Sequence, residues 1–437
     1  MATKRCITRI HGIDYDLEGF EHPGGPHALG HSYGRDATVL FESMHPFVDQ
    51  ARLRKILAKY RMLPSKAAAK GKATSSPLLL EGEADVPEYH YDSAFAKDLK
   101  ERVDVHFAAQ AASRGVSIHQ SIKATSWEWL RLTALHMMSL TVLGAYIYAW
   151  STSTLLPAGV PMALGLLLGL CLFMSGVNVF HDGAHFSLST IPWLNHAAHS
   201  CYFWFCSSSA WYHSHNIAHH AYTNVVYRDS DLHHGPARKT KDQTHLPRNA
   251  GQEKRIPMQM LFTVPYQVIA MPIRQVLSGK WSAAAPHHPA LGSGLDKTLL
   301  MLAILAFGGW QVTIPWIASG IWFGFIAQMT HVHDEAQTDV DITQTEDWYK
   351  TQVETATNCA CDSWWWTLLS GRLNYQIEHH LFPTVNSCHL KDLRPIVMAC
   401  CKKHSVRYVE FANPWANVVS FYKYMKLLGH GQTKKVA

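Results

Sequence analysis

Two long stretches without a charged residue, at positions 132–150 and 158–179, limit how this chain of 437 residues can fold. An α-helix needs about 20 consecutive apolar residues to cross roughly 30 Å of hydrocarbon, and each stretch is close to that length. Lys123 and Arg131 precede the first stretch, and the turn between the two stretches carries no charge. Because loops on the cytosolic side are rich in Lys and Arg, the first helix is expected to begin in the cytosol.

A third uncharged run, at positions 298–330, is interrupted by Gly308, Gly309 and Pro315. We interpret it as a hairpin of two short, tilted helices, each shorter than an ideal span. The run at 256–273 is also uncharged but contains prolines, which favours an interfacial or re-entrant segment. The sequence therefore predicts an all-α membrane region with about four spans. A soluble α-helical protein with very hydrophobic core helices is the alternative.

The composition points to metal chemistry. The chain has 29 histidines against 39 lysines and arginines, and imidazole is a good ligand for transition metals. The net charge of +6 is mild and is not gathered into a basic patch, so nucleic acid is not expected as a partner. The 9 cysteines show no framework spacing, which favours a reducing compartment. The first 130 residues contain no apolar run long enough for a signal peptide or a span, so the amino terminus is expected in the cytosol.

A compact segment at residues 5–62 contains two histidines with the features of haem ligands. His22 precedes a Pro-Gly-Gly turn, in which glycine lets the backbone approach a flat ligand closely. His45 follows a predicted short helix at positions 36–44. A six-coordinate haem iron takes two axial ligands, and imidazole is suitable for both. A surface turn with two incidental histidines is the alternative. The small residues and lysines at 63–77 indicate a linker after this segment.

Three further clusters of histidines lie near the ends of the predicted spans. They comprise His181 and His185; His215, His219 and His220; and Gln376, His379 and His380. Positions i and i+4 share one face of a helix, so the first two histidines of each of the first two clusters are expected to reach the same metal. One zinc ion takes four ligands and cannot use all seven histidines. A zinc-peptidase site is also not indicated, because Asp182 stands where that pattern has glutamate. Seven imidazoles therefore favour two iron ions, with satisfied core or surface histidines as the alternative for any single cluster.

The predicted topology is consistent with one shared metal site. No span separates the first two clusters, so they lie in the same loop. The hairpin at 298–330 crosses the membrane twice and returns the third cluster to the cytosolic side. An odd number of crossings would have separated the clusters.

Residues 11–47 resemble the cytochrome b5 haem module, whose signature is His-Pro-Gly-Gly, an Asp-Ala-Thr…Phe helix and a second histidine. Nearly the whole chain resembles a membrane fatty acyl desaturase of the front-end type with a fused cytochrome b5 domain. The sequence segments that carry this resemblance begin at Asn178, His219, Gln352 and Leu373. In the front-end type, the third cluster begins with Gln where other acyl desaturases have His. Three residues separate the first histidine of the second cluster from the pair, where many family members have two.

The resemblance also assigns site residues. It implies that His22 and His45 are the axial ligands of haem b, and that the seven histidines of the three clusters bind a di-iron centre. Gln376 would be a further ligand or would orient one. Related enzymes use another histidine after the last span, which is His331 here, with His333 as a competitor. No catalytic residue is expected apart from the metal ligands.

The fold implied is a small α+β haem domain at 5–62, a linker and amphipathic pre-membrane region at 63–125, and an all-α multi-pass desaturase domain at 126–437. The expected reaction uses O2 and electrons from NAD(P)H, delivered by cytochrome b5 reductase. It places a cis double bond between the carboxyl end and an existing double bond of an acyl lipid or acyl-CoA in the bilayer. Lys434 and Lys435 look like a dilysine signal of the endoplasmic reticulum, and both termini are expected in the cytosol.

Two alternatives stay open at this point. The same chemistry could act on a sphingoid base, or it could hydroxylate a lipid. The histidine clusters determine the oxidising species and do not determine where the lipid chain is positioned. A non-catalytic haem-binding membrane protein that transfers electrons is the more remote alternative.

Several other polar or aromatic residues are candidates of lower specificity. His136 lies inside the first apolar stretch, where a functional role and a structural hydrogen bond are about equally expected. Three histidines near the second cluster could support it or belong to the surface: His213, His233 and His234. Trp364, Trp365 and Trp366 could line an acyl tunnel, although interfacial anchoring is the more ordinary use of tryptophan.

Overall fold

The computed structural model describes residues 6–62, 87–157, 159–202, 208–226, 228–233, 235–277, 295–336 and 345–432. The predicted linker at 63–77, His234 and the two lysines near the carboxyl terminus lie outside these ranges.

The amino-terminal segment combines a small antiparallel sheet with short helices. Strands Ile7–Ile10 and Ile13–Asp16 pair in a register that places Ile10 opposite Ile13. Its helices are Gly25–Gly30, Thr38–Met44 and Gln50–Leu57, followed by a 3-10 turn at Ala58–Tyr60. Apolar side chains from both strands, from Leu17 and from the first helix form a small core of their own. The short helix predicted before His45 is confirmed.

Three helices in the described part of the chain are long and apolar enough to cross a membrane. They occupy Ile118–Ser151, Gly159–Ala184 and Trp310–Met329. A fourth apolar helix, Leu295–Gly308, has 14 residues and spans about 21 Å at 1.5 Å per residue, less than the hydrocarbon thickness. It joins the third long helix through a turn at Gly309, which forms the hairpin expected at 298–330.

The second long helix packs between the first and the third. Gly169 allows this approach, because a Cβ at that position would lie 2.5 Å from the Ala318 Cβ and 2.6 Å from the carbonyl oxygen of Pro315. Small residues of this kind let helix backbones meet closely in a membrane. Leu140 and Ile147 of the first helix remain exposed, as a lipid-facing surface requires.

The proline-containing run at 256–273 is a broken helix. Its α-helical parts are Ile256–Leu261, Thr263–Pro265 and Met271–Leu277, with a π-helical turn at Tyr266–Ala270. Val264 packs against Gly320 of the third long helix, where a Cβ would lie 3.1 Å from the Val264 side chain. The prolines therefore break this segment into short helical pieces, which pack against the third long helix and do not form one straight helix.

A helical body, formed by residues 345–432 together with helix Ala94–Arg114, covers the ends of the long helices that carry the histidines. Ser93 caps helix Ala94–Arg114, which packs against helix Leu390–Lys403 through a shared apolar core. Strand Tyr89–His90 pairs in parallel with Glu346–Asp347, and Asn358–Cys359 pairs in parallel with Glu410–Phe411. The first long helix consists of Ile118–Ser121 and Ser126–Ser151, and the third consists of a 3-10 turn at Trp310–Val312 and the α-helix Thr313–Met329. The other α-helices are Pro192–Cys201, Ser208–Trp211, Trp348–Glu354, Trp364–Leu369, Gln376–Leu381 and Pro414–Gly429.

Candidate metal centre

The first histidine cluster lies at the carboxyl-terminal end of the second long helix. His181 and His185 are one helical turn apart and their ring centroids are 4.7 Å apart, as the i, i+4 spacing predicts. Gly183 lies between them, and a Cβ there would approach the Asn195 carbonyl oxygen to 2.8 Å. Helix Pro192–Cys201 can therefore pack directly against this turn and bury both imidazoles.

The second cluster differs from the prediction. Residues Tyr212–His219 form a π-helix, and the His220 N–H donates to the His215 carbonyl oxygen at 2.9 Å. The wider turn places residues i and i+5 on the same face, so His215 lies beside His220, with their Nε2 atoms 3.2 Å apart. The expected pairing of His215 with His219 in one metal group is wrong, because it assumed the α-helical period.

The third cluster occupies the short helix Gln376–Leu381, which is buried on all sides. His379 and His380 are adjacent and therefore point in different directions around the helix axis. The His379 Nε2 lies 3.0 Å from the His220 Nε2, whereas the His380 ring faces His331, with centroids 4.6 Å apart. One short helix thus contributes to two neighbouring groups of imidazoles.

The eight histidines form two groups that could each hold a metal ion. The first group contains His181, His185, His215, His220 and His379, and the second contains His219, His331 and His380. Within each group the ligand nitrogens lie within 4.8 Å of one another. All eight residues are buried. The structure therefore brings every predicted histidine of the three clusters, and His331, into one double site.

The structure separates His331 from its competitor. The His331 Nδ1–H donates to the Thr355 carbonyl oxygen at 3.0 Å, which leaves Nε2 facing the second group. The two nitrogens of His333 are occupied elsewhere: Nε2 contacts the Thr357 hydroxyl at 2.8 Å, and Nδ1 accepts a backbone N–H from Glu335 at 3.1 Å. Of the two candidates, His331 is the one that lies with the other ligand candidates.

Side chains outside the clusters orient the rings of the second group. Asp229 accepts the Nδ1–H of His219 at 3.0 Å, and Gln352 accepts the Nδ1–H of His380 at 2.9 Å. Sequence reasoning noted both residues only inside strings that resemble the family and gave them no role. Single polar residues this far from the rings they contact leave no periodic signal, so spacing alone would not have found them.

The protonation of four of these rings suits metal binding directly, and His219 differs from them. Burial, reinforced by the neighbouring imidazoles, holds the pKa of His185, His220, His379 and His380 well below the ordinary value, so these rings are neutral. For His219, burial alone would lower the pKa, but the carboxylates of Asp229 and Asp231 outweigh it and raise the pKa to about 9. Neutral imidazole is the form that binds a metal, so His219 would release a proton on binding one, whereas the other four rings are already neutral.

The donor atoms also fit a pair of metal ions. The Nε2 atoms of His185 and His380 are buried and make no hydrogen bond. Metals bind imidazole nitrogens at roughly 2.1 Å, so the nitrogens that lie about 3 Å apart in the first group can share one ion. Buried polar atoms are normally satisfied, and a metal in each group would satisfy these.

Gln376 lies at the edge of the second group. Its Nε2 is 3.0 Å from the His331 Nε2, and its Oε1 is buried without a hydrogen-bond partner. An amide in this place can present its oxygen to a metal or orient the adjacent imidazole. The structure thus brings Gln376 to the histidines, and its exact role stays a prediction.

The two histidines of the amino-terminal segment face each other. The ring centroids of His22 and His45 are 5.8 Å apart, with the planes at 85°. The His45 Nδ1–H donates to the Phe41 carbonyl oxygen at 2.7 Å, which leaves its Nε2 as a ligand atom. Gly24 packs against the His22 ring, where a Cβ would lie only 3.0 Å away. Burial lowers the pKa of both rings, to about 4 for His22, so both are neutral. The pair is suited to the two axial positions of a haem.

Comparison with known protein families agrees with these two sites. The fatty acid desaturase family matches residues 156–412, and the cytochrome b5-like haem/steroid binding domain matches residues 2–62. The chain belongs to the fatty acid desaturase family. The two matches, together with the histidine groups, indicate haem and iron as the cofactors of this desaturase.

Curated relatives extend over nearly the full length of the desaturase. An acyl-lipid (8-3)-desaturase of Physcomitrium patens is 27% identical, covering 97% of this chain and 88% of its own. The delta(5) fatty acid desaturase A of Dictyostelium discoideum is also 27% identical and covers 97% of this chain and 91% of its own. An acyl-lipid omega-13 desaturase of Chlamydomonas reinhardtii is 27% identical over 92% of this chain and 89% of its own.

A cavity in the desaturase reaches the histidines. Its polar wall contains His181, His215, His219, His331 and Gln376. Its apolar wall is formed by side chains from the broken helix, the third long helix, the turn before the helix Gln376–Leu381 and the carboxyl-terminal helix: Ile256, Met260, Phe323, Leu373, Phe421 and Met425. Further polar side chains, including Asp231 and Lys239, also line the cavity. A cavity that combines apolar surface with convergent polar groups can bind the apolar part of a ligand and orient its polar part.

The less specific candidates lie apart from both histidine groups. His136 hydrogen-bonds through Nδ1 to the Leu132 carbonyl oxygen at 2.6 Å, a structural contact within its own helix. His213 is not part of either group, and His233 is exposed. Trp364 and Trp365 are exposed, as interfacial anchors would be, while Trp366 is buried against Trp322.

Proposed function

We propose that this desaturase is a front-end desaturase of unsaturated acyl lipids, with its electron donor fused to the same chain. The observation that carries the proposal is the double group of eight buried histidines that opens into an apolar cavity. The curated relatives named as (8-3)- and delta(5)-desaturases support a position near the carboxyl end of the acyl chain. Because two of the three relatives described above are named acyl-lipid desaturases, we propose an acyl lipid and not acyl-CoA as the carrier.

The proposed ligand set follows from the geometry of the two groups. His181, His185, His215, His220 and His379 would hold one iron ion; His219, His331 and His380 would hold the other, with Gln376 as a further ligand or an orienting group. When bound, the iron pair would supply the O2 activation that is needed to oxidise an unactivated carbon chain. His22 and His45 would hold the haem b that delivers the electrons.

The protein's own residues would position these groups and the substrate. Asp229, Gln352 and the Thr355 carbonyl oxygen hold the Nδ1 protons of three rings, so that the Nε2 atoms stay presented to the metal. The apolar wall of the cavity would bind the acyl chain and exclude water from the oxidation site. The overall reaction removes two hydrogens from the chain and forms a cis double bond, while O2 is reduced to water.

We further propose the domain limits and location of the enzyme. The haem domain would occupy 5–62, the pre-membrane region 63–125 and the desaturase domain 126–437. The matches to residues 2–62 and 156–412 support the first and third of these. The enzyme would lie in the endoplasmic reticulum with both termini and the metal site in the cytosol, where cytochrome b5 reductase would deliver electrons from NAD(P)H.

Product analysis in yeast tests the proposed function. Cells that express the chain would be fed saturated, mono-unsaturated and polyunsaturated acids separately, and new double bonds would be located by mass spectrometry. We expect a new bond between the carboxyl group and an existing double bond. Unchanged acyl chains in every feeding, with the protein expressed and its haem spectrum present, would contradict the proposal. Analysis of sphingoid bases in the same cells would then test the nearest alternative.

A further inference from the structure

A stacked pair of phenylalanines connects the haem domain to the third histidine cluster. Phe47 lies two residues after His45, and Phe382 lies two residues after His380. Their ring centroids are 5.6 Å apart and the ring planes differ by only 19°. A contact between two otherwise distant parts of the chain therefore joins a proposed haem ligand to a proposed iron ligand through short covalent segments.

Burial shows that this contact is part of a packed core. Phe382 and Phe107 are fully buried, and Phe47 packs against both, with its ring 5.7 Å from that of Phe107. The Phe47 ring comes from the haem domain, and the Phe107 and Phe382 rings come from the helical body. Aromatic pairs in such arrangements contribute roughly 0.5–1.5 kcal/mol beyond the area that they bury. Phe47 therefore anchors the loop of His45 to the catalytic domain.

A second set of contacts fixes the orientation of the haem domain. His27 stacks on His196 with ring centroids 3.7 Å apart, and the His31 ring lies 4.2 Å from that of Tyr212. Gly25 approaches Pro192 so closely that a Cβ would lie 2.9 Å from the proline Cβ. With contacts to the helical body through Phe47 and to residues 192–212 through this second set, the haem domain cannot rotate about the Phe47 contact alone.

We propose that the Phe47–Phe382 contact is the place where electrons pass from the haem domain to the iron site. This inference rests on the proposed function. Electron transfer slows steeply as the empty gap between donor and acceptor widens, so packed rings and short covalent segments favour this route. Each passage oxidises ferrous haem to ferric haem and reduces one ferric ion of the iron site to ferrous. No bond forms or breaks at either ring, and two passages accompany each double bond. Phe47 is thus a positioning residue for electron delivery.

The test uses the full-length chain in detergent micelles, reduced at its haem with limiting dithionite. Stopped-flow mixing with O2 and a substrate lipid found by the yeast experiment would follow haem reoxidation by absorbance. We expect Phe47→Ala to slow the substrate-dependent reoxidation at least tenfold while haem spectrum and iron content stay unchanged. Phe47→Tyr should restore a rate near wild type, because it keeps the ring. Val48→Ala is the matched control, since Val48 is the next residue of the same loop and its side chain is exposed.

A second readout separates electron delivery from damage at the iron site. A small redox mediator that reduces the iron directly should give the same single-turnover product yield in Phe47→Ala and in wild type. Reoxidation at the wild-type rate in Phe47→Ala, or a mediator-driven yield that falls with it, would overturn the inference. If the wild-type chain itself showed no substrate-dependent reoxidation, the proposed function would fail first, so the two failures are distinguishable.

Discussion

Neighbouring histidines in the second and third clusters belong to different metal groups. His219 and His220 separate in this way, and so do His379 and His380. The rings of the second group are each held at Nδ1, by a carboxylate, an amide or a backbone carbonyl. These acceptors fix the tautomer and the angle of each ring before a metal binds, which reduces the entropy lost on binding.

At this residue scale we expect His380→Ala to abolish desaturation. The second group would keep only two imidazoles, and bound iron should fall by about half because the first group does not contain His380. Metal analysis and fatty acid profiles of the expressing cells would measure both effects. The haem spectrum should be unchanged, whereas His22→Ala should remove the haem and keep the iron. Desaturation that survives His380→Ala would contradict the ligand assignment.

Asp229 allows a second test at the same scale. Removing its carboxylate leaves the His219 Nδ1–H without this acceptor. Loss of a residue that hydrogen-bonds to a metal ligand typically lowers metal affinity about 10–100-fold. We therefore expect Asp229→Ala to weaken iron binding by roughly that factor, measured by titration with a chelator. Asp92→Ala removes an exposed carboxylate as the control. Equal iron affinity in the two variants would exclude the orienting role.

At the scale of elements, the π-helix Tyr212–His219 decides which histidine rings lie together in one candidate metal group. The second cluster has three residues between His215 and the histidine pair. In an α-helix, a spacing of two would already place the first and last histidines at i and i+4. The π-turn accommodates the additional residue, so that His215 and His220 meet at i and i+5 instead.

This element marks the limit of what the sequence could predict. The spans followed from runs without charge, and the double site followed from the number and spacing of histidines. The division of the histidines into two groups could not be predicted in this way. It depends on one backbone hydrogen bond from His220 to His215, which no residue type in the sequence predicts. The partners of the rings, such as Gln352 for His380, and the contact of Phe47 with Phe382 join distant parts of the chain and depend on tertiary packing.

Deleting Ala218 tests the role of the π-turn. The deletion would give the second cluster the shorter spacing, and an ordinary α-helix would then bring the same two rings together. We expect the variant to retain iron and measurable desaturation. Deleting Ala184 from the regular helix between His181 and His185 is the control. It should abolish desaturation and lower bound iron by about half, because it rotates one ring of the first group away and leaves the second group complete. Loss of iron in the first variant would show that the π-geometry itself is required.

At the scale of the whole molecule, the long helices hold the histidines of separate segments at one end of the membrane region. Glu128 near the start of the first long helix contacts Arg131 and, from the third-cluster segment, Arg372 at 2.6 Å. Arg131 also donates to Asn178 of the second long helix at 2.8 Å. This charged network locks the two helices and the third-cluster segment together beside the metal site, where an unpaired charge would be costly.

The orientation in the membrane is testable with cysteine labelling. Leu155 lies in the turn between the first two long helices and is 82% exposed. In a Cys201→Ser background, we expect Leu155→Cys to react with an impermeant maleimide only after microsomes are permeabilised. Lys402→Cys, on the exposed face of the helical body, should react in sealed microsomes. Labelling of both positions in sealed microsomes would contradict the proposed topology.

The placement of the third cluster sets the order of events during biosynthesis. Under the proposed ligand set, a nascent chain that ends before residue 376 offers four imidazoles to one group and two to the other. Each group receives its last histidine from the helix Gln376–Leu381, which follows the three long helices in the chain. Under this ligand set, neither group can be complete until the spans and the helix Gln376–Leu381 have all been synthesised.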